Sequence, residues 1–118
     1  MKKTLMALSL ITIPATTIAN EINLYSYRQP SLLEPITTQF EKETGIKVNV
    51  AYLKKGMVEK LKAEGKRTPA DVILTVDISR LAEIVNKELT QPVTSDKLLA
   101  IPENYRDPEN HWFGITTR

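Results

Sequence analysis

Arg28, Gln29, Asp77, Thr117 and Arg118 have the most to offer a ligand, because each falls where a predicted strand gives way to the next segment. In an open α/β sheet, ligands bind beyond the carboxyl ends of the strands, where strand order reverses. Loops diverge there and helix N-termini present free N–H groups. That rule nominates three places: Ser26-Tyr27-Arg28-Gln29, Val76-Asp77-Ile78-Ser79 and Thr116-Thr117-Arg118. Arg28 leads them. A guanidinium beside a helix start joins a two-donor fork to a partial positive charge, a seat for carboxylate, phosphate or carbonate. As an ordinary surface residue it would instead sit in water or pair with Glu34.

The other polar residues point to less. Tyr25 and Tyr27 share one strand face, while Tyr52 and Tyr105 lie in other segments. Phenolate is a hard oxygen ligand of the kind ferric iron takes, but most tyrosines pack their rings and give the hydroxyl to a hydrogen bond. His111, near Asp107 and Glu109, fits no helical or zinc spacing and lies in a Pro-rich turn. Asp77 is explained by capping a helix. Lys54-Lys55 reads as a solvated turn before a helix. There is no cysteine, hence no thiolate metal site or cysteine nucleophile, and no nucleophile elbow, phosphate loop or paired His and carboxylate appears. No catalytic residue is expected.

The elements that must position these residues follow from periodicity. Ile22 to Tyr27 alternates as a strand does. A helix follows, with Pro30 suited to a first turn, Leu32, Leu33, Ile36 and Phe40 at three- and four-residue spacing, and Gly45 as its C-cap. Pro35 within that pattern predicts a helix starting near it or an irregular first turn. Ile46 to Tyr52 is a second strand, and Met57 to Glu64 an amphipathic helix closed by Gly65. Val72 to Val76 is an apolar strand of the type a doubly covered parallel sheet uses. Asp77 or Ser79 caps a further helix whose buried stripe is Ile78, Leu81, Ala82 and Val85. The pattern is α/β, a mainly parallel open sheet with right-handed helical crossovers. From Leu89, a run of Pro, Asn and Asp predicts a surface connection, ending in a strand over Trp112 to Arg118.

Lys2 and Lys3, the apolar run Leu5 to Ile13 and the small residues before Asn20 make residues 1–19 a secretory signal peptide, too short and too interrupted to span a bilayer. Residues 20–118 suffice for one small domain. The chain has 16 Lys and Arg against 14 Asp and Glu, and Lys2 and Lys3 belong to the leader. The balanced remainder argues against nucleic acid as a partner.

Asn23-Leu24-Tyr25-Ser26-Tyr27-Arg28, the stretch Phe40 to Val48, Pro69-Ala70-Asp71-Val72, Thr75-Val76-Asp77 and Trp112 to Arg118 together resemble the periplasmic ferric ion-binding proteins, within the ABC-transporter solute-binding proteins. The resemblance covers essentially all of residues 20–118. It implies a two-lobed clamp of the type II periplasmic binding-protein fold, with ferric iron as cargo held by tyrosinates and a synergistic anion such as carbonate, and delivery to an inner-membrane ABC permease. The family's paired tyrosines come from the second lobe. Where some members place a His-Tyr pair after the first strand's arginine, this chain has Gln29 and Pro30. The departure implies a first lobe that supplies anion contacts, Arg28 and Gln29, with Tyr27, Asp77, Thr117 and Arg118 lining the cleft and no metal ligand here. The family's chains are much longer, so the sequence reads as an incomplete first lobe. A monomer that binds iron poorly by itself is expected. A carrier of a polyamine or another oxyanion, or a small periplasmic hydrolase, are the alternatives.

Overall fold

The computed structural model describes residues 20–117; the expected leader and Arg118 lie outside them. The apolar alternation after Asn20 forms strand β1, Glu21–Ser26. Its last two residues, Tyr25 and Ser26, are both buried although they point to opposite faces, so this end of the strand is covered on both sides. Helix α1, Pro30–Thr44, leads to β2, Lys47–Tyr52; α2, Met57–Glu64, leads to β3, Val72–Leu74; α3, Ile78–Asn86, completes the regular structure. The sheet is wholly parallel in the order β2-β1-β3, which is the α/β architecture expected. Glu21 lies opposite Lys47 and Ser26 opposite Tyr52 on one edge of β1. Leu24 to Ser26 pair with Val72 to Leu74 on the other.

Several bounds differ from expectation for identifiable reasons. Helix α1 starts at Pro30 and runs through Pro35. Its first turn is closed by the Leu32 N–H donating to the Gln29 carbonyl at 3.0 Å, and the bond that Pro35 forfeits falls near the helix start, where Ser31 and Pro35 are exposed. Leu33 is buried and Phe40 half-buried, whereas Leu32 and Ile36 face outward. Gly45 takes φ 72° and sends its N–H to the Glu41 carbonyl, the left-handed cap that glycine adopts without strain.

Strand β3 stops at Leu74 because β1 turns away after Ser26; the Leu74 carbonyl takes the last ladder bond, from the Tyr27 N–H at 3.0 Å, and Thr75 and Val76 have no strand beside them. In α3 the buried residue is Ile84, 1% exposed, while Ile78 is 53% exposed. The stripe takes in Ile84 and leaves out Ile78, while Leu81, Ala82 and Val85 are half-buried as expected. Met57, Val58 and Leu61 of α2 close the core against Tyr25 and Ile84.

Residues 87–117 are largely irregular, with short 3-10 turns at Leu98–Ala100 and Glu103–Tyr105. The strand expected over Trp112 to Arg118 is absent from the described part of that stretch. Pairing there is local, through an antiparallel bridge of Arg106 with Phe113 and the Gly114 N–H donating to the Tyr105 carbonyl.

Candidate functional site

The chain places β2 on one side of β1 and then crosses to place β3 on the other. The reversal puts the topological switch point between the carboxyl ends of β1 and β3. Two loops leave from it, Tyr27–Gln29 and Thr75–Asp77.

Ser26 shapes the first loop. It is fully buried, and its Oγ accepts the Arg28 N–H and donates to the Arg28 carbonyl, both at 2.8 Å. One hydroxyl thus fixes the backbone of the arginine two residues on. Arg28 is half-buried. The ion pairs among the described residues are Lys60 with Glu64 and Arg80 with Asp77, so its guanidinium is not spent on an acid there. Gln29 is exposed, in extended conformation at the N-cap of α1, with no side-chain cap bond and no acid in the first turn. Pro30 has no N–H and the Leu32 N–H goes to the Gln29 carbonyl, so it is the Ser31 N–H that the start of α1 leaves near Arg28 without a side-chain cap.

Tyr27 joins the loops. Its N–H goes to Leu74, and its hydroxyl oxygen accepts the Met57 N–H at the start of α2, at 2.9 Å. Its ring lies 4.9 Å below the Arg80 guanidinium. Asp77 is the N-cap of α3: Oδ1 accepts the Arg80 N–H at 2.9 Å and the Ser79 hydroxyl at 2.7 Å. The backbone N–H of Arg80, then the Ser79 hydroxyl, hold its carboxyl below the usual carboxylate range. The structure thus brings Tyr27, Arg28, Gln29 and Asp77 to one end of the sheet. Thr117 is exposed, and among the described residues no hydrogen bond ties it to these loops. Arg80 lies outside the segments nominated from sequence, and Ser26, although within one, has no role assigned to it there. The short Ser26-to-Arg28 spacing offers a local signal for the hydroxyl turn, whereas nothing in sequence joins residue 80 to residue 27.

The remaining candidates are engaged elsewhere. Tyr25 is 4% exposed and donates its hydroxyl to both Glu64 oxygens, at 2.9 and 3.0 Å. Burial, then the Glu64 carboxylate, push the phenol's pKa up, so it is a poor source of phenolate. His111 Nδ1 is 2.8 Å from the Thr90 hydroxyl, and the His111 backbone N–H donates to the Asp107 carboxylate. Among the described residues no group of three or more His, Asp or Glu could hold a metal ion. Two shallow cavities, both lined by Arg106 and Pro108, lie in the irregular segment rather than at the sheet end.

The model of the bacterial extracellular solute-binding protein family matches residues 25–117. The chain belongs to that family. This solute-binding protein is 44% identical over 100 residues to Iron uptake protein A1 of Synechocystis, covering 83% of the chain and 28% of that relative. It is 31% identical over 101 residues to the Fe(3+)-binding periplasmic protein of Serratia marcescens, covering 82% and 29%. Among solved structures, the ferric iron-binding protein A of Mannheimia haemolytica in an open conformation superposes with TM-score 0.80 at 56% identity, over 83% of the chain and 31% of that protein. A Trichodesmium protein in complex with iron and citrate superposes with TM-score 0.75 at 42% identity, over 80% and 31%. The solute-binding protein sequence therefore spans about three-tenths of the length of these relatives.

Proposed function

We propose that this chain is the amino-terminal part of the first lobe of a periplasmic carrier that binds ferric iron together with an anion and hands it to an ABC permease, without catalysis. Residues 1–19 act as its export leader. Arg28 and Gln29 contact the anion, and Tyr27, Asp77, Thr117 and Arg118 line the cleft. The observation that carries the reading is a guanidinium not spent on an acid among the described residues, beside the uncapped start of α1 at the switch point, in a chain whose relatives described above bear the names of iron-binding or iron-uptake proteins. A polyamine carrier would need acids at this end of the sheet, and Asp77 is already committed to its cap and to Arg80.

The test is a bicarbonate titration of the chain followed by amide NMR. Saturable shifts are expected at Arg28, Ser31 and Leu32. Arg28→Lys keeps the charge and loses the planar fork, so affinity should fall by about one to two powers of ten, the equivalent of about 1.5–3 kcal/mol for a charge-assisted hydrogen bond. Equal affinity of the two proteins, both folded by circular dichroism, returns Arg28 to the ordinary surface.

A further inference from the structure

We infer that Arg80 is a second guanidinium of the same anion seat, so that the switch point carries a two-arginine clamp for a carboxylate-type oxyanion. The inference rests on the anion role proposed for Arg28. Arg80 sits in the first turn of α3, directly after the β3 end of the switch point. Its guanidinium stands over the ring of Tyr27, the residue before Arg28, so it belongs to the β1 loop as much as to its own helix. A cation on an aromatic face is held in place without consuming its N–H donors. Among the described residues its one acid partner is Asp77, 3.7 Å away through Nε with both side chains about half exposed, and that carboxylate is already used as the helix cap. Among the described residues the Arg80 side chain donates no hydrogen bond within normal range. It is thus placed by the ring, half open to solvent, and short of acceptors. An oxyanion brought to Arg28 would supply them.

The charges around this end favour the same ligand class. Lys54 and Lys55 follow β2 in an exposed turn, and Leu53 bonds its N–H to the Ser26 carbonyl, which brings that turn next to the β1 loop. Asp77 is the single acid of the two switch-point loops. Carbonate and citrate share the chemistry required, planar oxygens carrying more than one acceptor. They differ in span, which the experiment uses.

The chain, its Arg28→Lys and Arg80→Gln variants, the Arg28→Lys/Arg80→Gln double variant and a Lys66→Gln control are titrated with sodium bicarbonate and, separately, with citrate, at two salt concentrations. Arg80→Gln should weaken binding by about three- to tenfold and make it less salt-dependent, with the unfolding midpoint little changed because the side chain is half exposed. Lys66→Gln removes a charge from the exposed turn that leads into the amino end of β3 and should bind as wild type. A larger effect of Arg80→Gln on citrate than on bicarbonate identifies the wider anion as the ligand; an equal effect identifies the compact one. If Arg80→Gln binds both probes as tightly as wild type while Arg28→Lys is weakened, the second arginine is wrong and the Arg28 reading stands. If wild type shows no saturable anion shifts, both are wrong. Affinity lost only in step with helical signal reduces Arg80 to a prop for α3 and overturns the inference.

Discussion

At the scale of single residues, Glu64 carries a load that its place in the sequence hides. Its carboxylate accepts from Thr68 at 2.7 Å, from Lys60 at 2.9 Å and from the buried Tyr25 hydroxyl, tying α2 and the turn after it to the central strand. Thr68, then Lys60, hold its pKa below the ordinary carboxylate value. In the unfolded chain a glutamate titrates near about 4.3. The stabilisation is therefore whole above that pH and drains away as pH falls through the lower folded value. Urea unfolding across an acid series should show wild type losing stability there while Glu64→Gln changes less steeply; parallel curves would mean that Glu64 is not the titrating tie. Tyr25→Phe should cost about 1 kcal/mol at neutral pH, one buried hydrogen bond. Sequence made Arg28, Gln29 and the Asp77 cap legible, because strand end, Pro30 and helix start are local signals. The ring of Tyr27 under Arg80, and Tyr25 bonded to Glu64, join residues remote in sequence, and no period or cap announces such pairs.

Whole elements were legible wherever a stop signal was local. Gly45 and Gly65 end α1 and α2 at the expected places, and α2 has the bounds read from its apolar spacing. What escaped was set by neighbours. The end of β3 depends on where β1 turns off, and the stripe of α3 on how that helix rolls against Met57 and Leu61. The orientation of α3 makes a sharp comparison. Ile84→Ala empties a fully packed site and should cost about 2–5 kcal/mol, whereas Ile78→Ala on the exposed side should stay within about 0.5 kcal/mol. Denaturant midpoints of the two variants decide it, and a larger loss for Ile78→Ala than for Ile84→Ala would mean that the helix is turned to the stripe expected from sequence. Trp112 to Thr117 carries a strand's composition, yet the described residues pair it only with the turn before it. A strand needs an edge to join, and composition cannot supply one.

For the molecule as a whole, the described tyrosines set what the chain can do with iron. Tyr25 is buried and bonded to Glu64, Tyr27 is bonded to α2, and Tyr52 and Tyr105 sit apart, at the end of β2 and in a 3-10 turn. Ferric iron needs several hard oxygen donors around one centre. Titration of the purified chain with ferric citrate should therefore give no stoichiometric visible band from phenolate to iron, and a saturable band at one equivalent would show a donor set that these positions do not offer. The strand order has a consequence of another kind. Among the described residues β1 comes first along the chain, yet it is the middle of the sheet, with one edge paired to Lys47–Tyr52 and the other to Val72–Leu74. The β1–β2 ladder needs only the chain up to Tyr52, but the described sheet is complete only with Leu74, because every ladder bond uses β1. Partners in the first ladder lie 26 residues apart (Glu21 to Lys47) and in the second 48 (Leu24 to Val72), so each closure spans a long loop and the sheet forms more slowly than a hairpin would.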